Sequence, residues 1–135
     1  MNGSIEKEFM NLIKKMAQKD RELILKDLCA RLPHRVKVAF EEDGNLITDT
    51  ITMIGWPSNE VMLYEASEFF RIEEIKPYLR PMSSMTEEEE VYYDTVFTRL
   101  KFWQKVDWLN EHHFDFRGLI DKGLALEAPK DMYNV

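Results

Sequence analysis

A chain of 135 residues, 44% hydrophobic and 12% aromatic, buries one substantial core and seldom two, so a single domain spanning 1–135 is expected. Its 18 Lys and Arg stand against 25 Asp and Glu, a formal net charge of -7, and the resulting field repels phosphate backbones and argues against nucleic acid as a partner. Cys29 is the sole cysteine, which excludes an intrachain disulfide and a cysteine-built zinc site. With no bilayer-length apolar run and no signal-peptide pattern, it points to a cytoplasmic protein with no membrane partner.

The first predicted elements are helical and cover 1–33. Ser4 can cap a helix in which Ile5, Phe9, Leu12, Ile13 and Met16 fall on one face. Asp20 offers a second cap, and Leu25, Leu28, Cys29 and Leu32 continue an apolar face until Pro33 ends the helix. The two pieces read as one bent helix or a helix pair, with Cys29 as a buried, inert thiol.

From Pro33 to about residue 80 the period changes to 2. Val36, Val38 and Phe40 alternate with Lys37, Ala39 and Glu41, and Glu42-Asp43-Gly44-Asn45 carries hairpin-turn chemistry. The return strand, Leu46 to Ile54, places Ile47, Ile51 and Met53 on one face and Thr48, Thr50 and Thr52 on the other. A third strand is expected at Val61 to Tyr64 and a fourth within Arg71 to Leu79, with Pro77 and Pro81 confining the last to a sheet edge.

Helix is expected again over 85–117. Thr86 and Glu89 have capping-box spacing, and the Glu87–Glu90 run complements the helix N-terminus. Tyr92, Val96, Leu100 and Trp103 recur at helical spacing, Leu109 follows after a further turn or a break, and Gly118 and Gly123 are stop signals that leave 118–135 as an irregular tail. The fold class is therefore α+β: an N-terminal helix, a small twisted antiparallel sheet or partial SH3-like or Sm-like barrel, then an aromatic-rich helix and an irregular tail. The barrel comparison is one of fold and implies no function.

No reaction signature is present. There is no phosphate-binding glycine loop, no nucleophile elbow, and Ser83 and Ser84 sit where caps belong. The densest chemistry lies in Trp108, His112, His113, Phe114, Asp115, Phe116 and Arg117, which form the candidate interaction region because aromatic and guanidinium groups anchor interfaces. A metal enzyme at His112, His113 and Asp115 ranks last, since adjacent helical residues diverge and only the i,i+3 pair can converge. No cofactor, catalytic residue or metal ligand is assigned.

The segments Lys26-Asp27-Leu28-Cys29-Ala30-Arg31-Leu32-Pro33, Ile75-Lys76-Pro77-Tyr78-Leu79-Arg80-Pro81-Met82-Ser83-Ser84-Met85-Thr86 and Trp108-Leu109-Asn110-Glu111-His112-His113-Phe114-Asp115-Phe116-Arg117-Gly118-Leu119-Ile120, with Gly123-Leu124-Ala125-Leu126, resemble a family of small proteins of prophages and other mobile elements of gut Bacteroidetes. The resemblance runs from about Lys26 onward, leaves Ile5 to Met16 as a variable part, and implies a bacterial or phage origin. That family carries no assigned activity, so it transfers no site. The expected role is a non-enzymatic protein-interaction or accessory module of a mobile element, with a protein partner or a second copy of the chain. The alternatives are an acidic inhibitor mimicking nucleic acid through Glu41, Glu42, Asp43 and Glu87 to Glu90, and a nucleic-acid-binding small barrel using Lys37, Arg71, Lys76 and Arg80.

Overall fold

A computed structural model describes residues 18–55, 58–66 and 68–133. The expected first helix, Ile5 to Met16, lies outside them. Residues 18–31 form helix α1, which passes through Asp20 without a cap there. Its buried stripe is Ile24, Asp27, Leu28 and Arg31, an i, i+3, i+4, i+7 pattern. That face is rotated from the expected one and places Cys29 on the exposed side. The rotation is possible because the two charged members of the stripe satisfy each other: Arg31 Nε lies 2.9 Å from Asp27 Oδ2, with neither side chain exposed. A short 3-10 turn, Leu32–His34, then ends at Arg35 in a left-handed conformation, φ 56°.

The sheet is mixed, in the order β4-β3-β2-β1-β5-β6. β1 (Lys37–Glu42) and β2 (Asn45–Ile54) pair in antiparallel register from Lys37↔Thr50 to Glu42↔Asn45. Asp43 and Gly44 both have positive φ, 51° and 81°, the requirement of a two-residue type I′ turn. β3 (Val61–Leu63) and β4 (Phe69–Phe70) extend the sheet on one side. β5 (Ile75–Leu79) lies against β1 on the other. β5 is flanked by β1 and β6, so it is not the edge strand its prolines suggested. The β6 pairing begins at Tyr78, one residue beyond Pro77.

Two features of β2 depart from simple alternation. An irregularity between Ile51 and Met53 shifts the β2–β3 register, and the inward face passes from Ile51 to Ile54, leaving Met53 exposed. A bulge of this kind exchanges the two faces of the strand beyond it. The second is Asp49, buried on the core side, whose carboxylate accepts N–H bonds from Thr50, Glu65 and Ala66 at 2.7–3.1 Å and so fastens the β3–β4 turn.

One sheet face carries Val38, Phe40, Ile51, Val61, Leu63, Ile75 and Leu79, which pack with Ile24 and Leu28 of α1 and with Leu119 and Ala125. Each such side chain contributes about 1.5–3 kcal/mol by leaving water. The C-terminal segment, expected to be irregular, supplies β6 (Leu126–Glu127), which pairs parallel with β5. It also supplies a second cluster in which Tyr133, Leu126, Ala128 and Met132 cover Ala39 and Tyr78. The fold is α+β, and β4 and β6 are the two edges of the sheet among the described residues.

Between β5 and this segment the chain makes a helical excursion. Helix α2 (Glu87–Thr95) begins with the expected capping box: the Glu89 N–H donates to Thr86 Oγ1 and the Thr86 N–H to Glu89 Oε1. The helix does not continue to 117. It gives way to a 3-10 turn, Phe97–Arg99, and restarts as α3 (Phe102–Glu111). The break turns Phe97 inward against Tyr93 and Trp108. Val96 and Trp103, expected on the apolar face, are exposed instead.

Candidate functional site

The residues expected to form a contact surface, Trp108 and His112 to Arg117, are packed inside the molecule or against it. Trp108 stacks on Tyr92 at 5.2 Å and on Phe114 at 5.6 Å between ring centroids, and Phe114 is fully buried. The Arg80 guanidinium sits 4.2 Å above the Phe114 ring. Phe116 lies beside the Arg117 and Arg31 guanidinium groups at 4.3 and 5.7 Å. Asp115 accepts from the Leu119 and Ile120 N–H groups, both at 2.9 Å.

Two ionic nodes hold this segment to the rest of the fold. In the first, Asp27 receives Arg31 on one oxygen and Arg117 on the other, the latter at 2.7 Å, while Arg31 Nη2 donates to the Phe114 carbonyl. Burial pulls the Arg31 guanidinium below its ordinary value, and the Asp27 carboxylate opposes that shift. In the second node, Arg80 grips Glu89 with two bonds of 2.8 and 2.6 Å and also donates to the His112 and Ser84 carbonyls. Burial alone would raise the Glu89 carboxyl, but the bonds from Arg80 and Thr86 outweigh it and hold the group below the ordinary carboxylate value. Together the nodes tie α1, β5, α2 and the 110–117 segment into one body. They are structural: a buried pair is costly to break because the surviving charge is left uncompensated.

The other readings of the sequence meet the same residues. Asp115 spends both carboxylate oxygens on backbone N–H groups, so it does not converge with His112 and His113 on a metal. Among the described residues no group of three His, Cys, Asp or Glu is placed to hold one. The basic face of a nucleic-acid-binding barrel loses Arg80 to Glu89, and Arg71 lies 3.8 Å from Glu74. The acidic surface of a mimic loses Glu89 to Arg80 in the same way. No helix among the described residues is long and apolar enough to cross a membrane.

Other aromatic rings stay at the surface: Tyr64, Phe69 and an adjacent pair in α3. Phe102 is 82% exposed and Trp103 59%, and they are the first two residues of α3. The Lys101 N–H donates to Gln104 Oε1 at 3.0 Å, which fixes the start of the helix and the backbone that carries the two rings. Arg99 and Lys101, both exposed, flank them. The periodicity reading missed this pair because it assigned Trp103 to the core face of one long helix. The signal that could have found it is Gln104, three residues after Lys101, where a helix start places a capping side chain.

No family model, no curated protein and no solved structure matches the chain.

Proposed function

We propose that the chain is a non-enzymatic protein-binding module that docks through Phe102 and Trp103. The observation that carries this reading is the exposure of two adjacent large aromatic rings on a fixed helix start. Large aromatic side chains carried on a fixed backbone are the usual centres of interface energy. Removing each ring from water would contribute about 1.5–3 kcal/mol. The exposed Arg99 and Lys101 select a partner whose apolar pocket is rimmed by carboxylates, and they make association sensitive to salt. A role as an accessory module of a phage or other mobile element rests on the family resemblance of the 26–33, 75–86 and 108–126 segments.

The test is affinity capture and sedimentation with the wild-type chain beside a Phe102→Ser, Trp103→Ser variant and a Lys101→Glu variant. Expected is a protein complex, with a second copy or with another chain, that is lost in the double variant and weakened by the charge reversal, while circular dichroism is unchanged. A wild-type chain that stays monomeric and captures nothing the double variant does not capture equally well would overturn the reading.

A further inference from the structure

His34 is far in sequence from the adjacent His112 and His113, yet the fold brings it to them. His34, His112 and His113 line one pocket of about 240 Å³ together with Arg35, Lys37, Glu111, Met132 and Tyr133. In a molecule of net charge -7, this pocket gathers a guanidinium, an ammonium and three imidazoles around a single carboxylate. We propose that it is a binding site for a small phosphate-type anion, either inorganic phosphate or the phosphoryl group of a monoester. The proposal stands independently of the protein-binding reading.

The pocket is built from three separate segments, each tied down. The Lys37 N–H donates to Tyr133 Oη at 2.9 Å, and the Tyr133 hydroxyl donates to the Tyr78 carbonyl at 2.8 Å. The Arg80 N–H donates to the His113 carbonyl at 2.8 Å, and the His113 N–H donates to the Asn110 carbonyl at 3.1 Å. The His113 ring lies flat on Tyr133, with centroids 3.6 Å apart and planes 10° from parallel. These ties fix the walls before any ligand arrives, which lowers the ordering cost of binding.

Two further observations distinguish this pocket from an ordinary surface hollow. Arg35 and His113 have φ of 56° and 64°, two of the five non-glycine residues with left-handed backbone among the described residues. Such conformations are strained for a residue with a Cβ and collect at functional sites. Second, His113 is only 9% exposed, and its Nδ1 has no hydrogen-bond partner. An enclosed polar nitrogen without a partner is rare. Burial, followed by the nearby Arg31, His34, Arg80 and His112, lowers the His113 imidazole to about 4. At neutral pH the ring is therefore uncharged. Arg35 and Lys37 supply the charge, and a guanidinium beside an ammonium suits oxyanion recognition.

Glu111 sets the class of anion. A carboxylate in the pocket repels a ligand that only accepts hydrogen bonds, and it accepts one from a P–OH or from a hydroxyl beside the phosphoryl group. The pocket is therefore expected to prefer phosphate to sulfate at a pH where phosphate keeps a proton. Its volume is below the roughly 300 Å³ at which drug-sized sites begin, so only the anionic head is enclosed.

The probe is inorganic phosphate, titrated into the full chain by calorimetry and followed through the histidine ring resonances. Three variants accompany the wild type: Arg35→Gly, Lys37→Gln and Lys76→Gln, the last on an exposed strand position outside the pocket. Arg35→Gly removes the guanidinium while relieving the left-handed backbone, so it is expected to fold at least as well as wild type. Expected are saturable shifts of His34, His112 and His113, at least about tenfold weaker binding in Arg35→Gly and in Lys37→Gln, unchanged binding in Lys76→Gln, and weaker competition by sulfate. Absence of saturable binding up to about 10 mM phosphate, or binding indifferent to both pocket variants, would overturn the site. Equal affinity for sulfate would overturn the role given to Glu111.

Discussion

Two neighbouring stretches of this chain carry similar residues and have opposite fates. Residues 99–103 and residues 108–117 both combine aromatic rings with cations. The second stretch turns all of its aromatic rings, and Arg117, to internal partners, while the first leaves Phe102 and Trp103 in water. The difference lies in the available partners. The 108–117 stretch meets Asp27, Arg31, Arg80 and Glu89, which supply complementary charge and flat guanidinium faces; the 99–103 stretch begins a helix at the rim of the small aromatic cluster, where Leu100 packs inward and Phe102 and Trp103 stay largely exposed. Residue type announces that a segment will make strong contacts; complementary groups elsewhere in the chain decide whether they are internal.

Substitutions can break this contrast, and the largest effect belongs to Asp27. Asp27→Ala leaves Arg31, which is fully buried, and Arg117 without their shared carboxylate and is expected to cost about 3–5 kcal/mol in chemical denaturation; a loss below about 1 kcal/mol would mean the node is not structural. A pH-dependent effect comes next. Because the folded His113 value lies near 4, below the ordinary 6.5, the unfolded chain takes up this proton first as pH falls. Stability from this group is fully present above about pH 6.5, declines between there and about pH 4 by about 3 kcal/mol, and then levels. His113→Asn, which tolerates the left-handed backbone but does not titrate, is expected to flatten that slope. Glu89 adds a loss of its own at lower pH, since its depressed carboxyl stabilises the fold above the ordinary carboxylate value and stops doing so as pH falls through the folded one.

Thr86→Ala removes the hydroxyl that accepts the Glu89 N–H and is expected to cost about 1 kcal/mol, read as a shifted denaturation midpoint with an unchanged slope. The smallest effect on stability belongs to the exposed pair. Phe102→Ser and Trp103→Ser should each stay within about 0.5 kcal/mol of wild type, and together they should abolish association. A large stability loss from this pair would erase the distinction between the two stretches.

The same contrast explains what the sequence disclosed. The β1–β2 hairpin was legible because Asp43-Gly44 and the flanking alternation are local signals, and the start of α2 was legible because Thr86 and Glu89 lie three residues apart. The rotated face of α1 was not legible: Asp27 and Arg31 look like solvent residues until Arg117, far along the chain, is brought beside them. β6 was hidden for a related reason, since two residues pairing in parallel carry no periodicity of their own. The candidate site divided in the same way. Its chemistry was visible in Trp108 to Arg117, but its direction, inward, depended on Arg80, and the meeting of His34 with His112 and His113 depended on Tyr133.

The pairing of β6 with β5 has a consequence for synthesis. A ribosome delivers the hairpin and β5 well before Leu126 leaves the exit tunnel, so in the growing polypeptide the far side of Tyr78 and Leu79 stays open while the intervening helices are made. Nascent chains stalled before Leu126 therefore present a bare strand edge to one another on the same messenger. Once Leu126 has emerged, β6 closes that edge, and a chain cut just before Leu126 should self-associate more readily than one that carries β6.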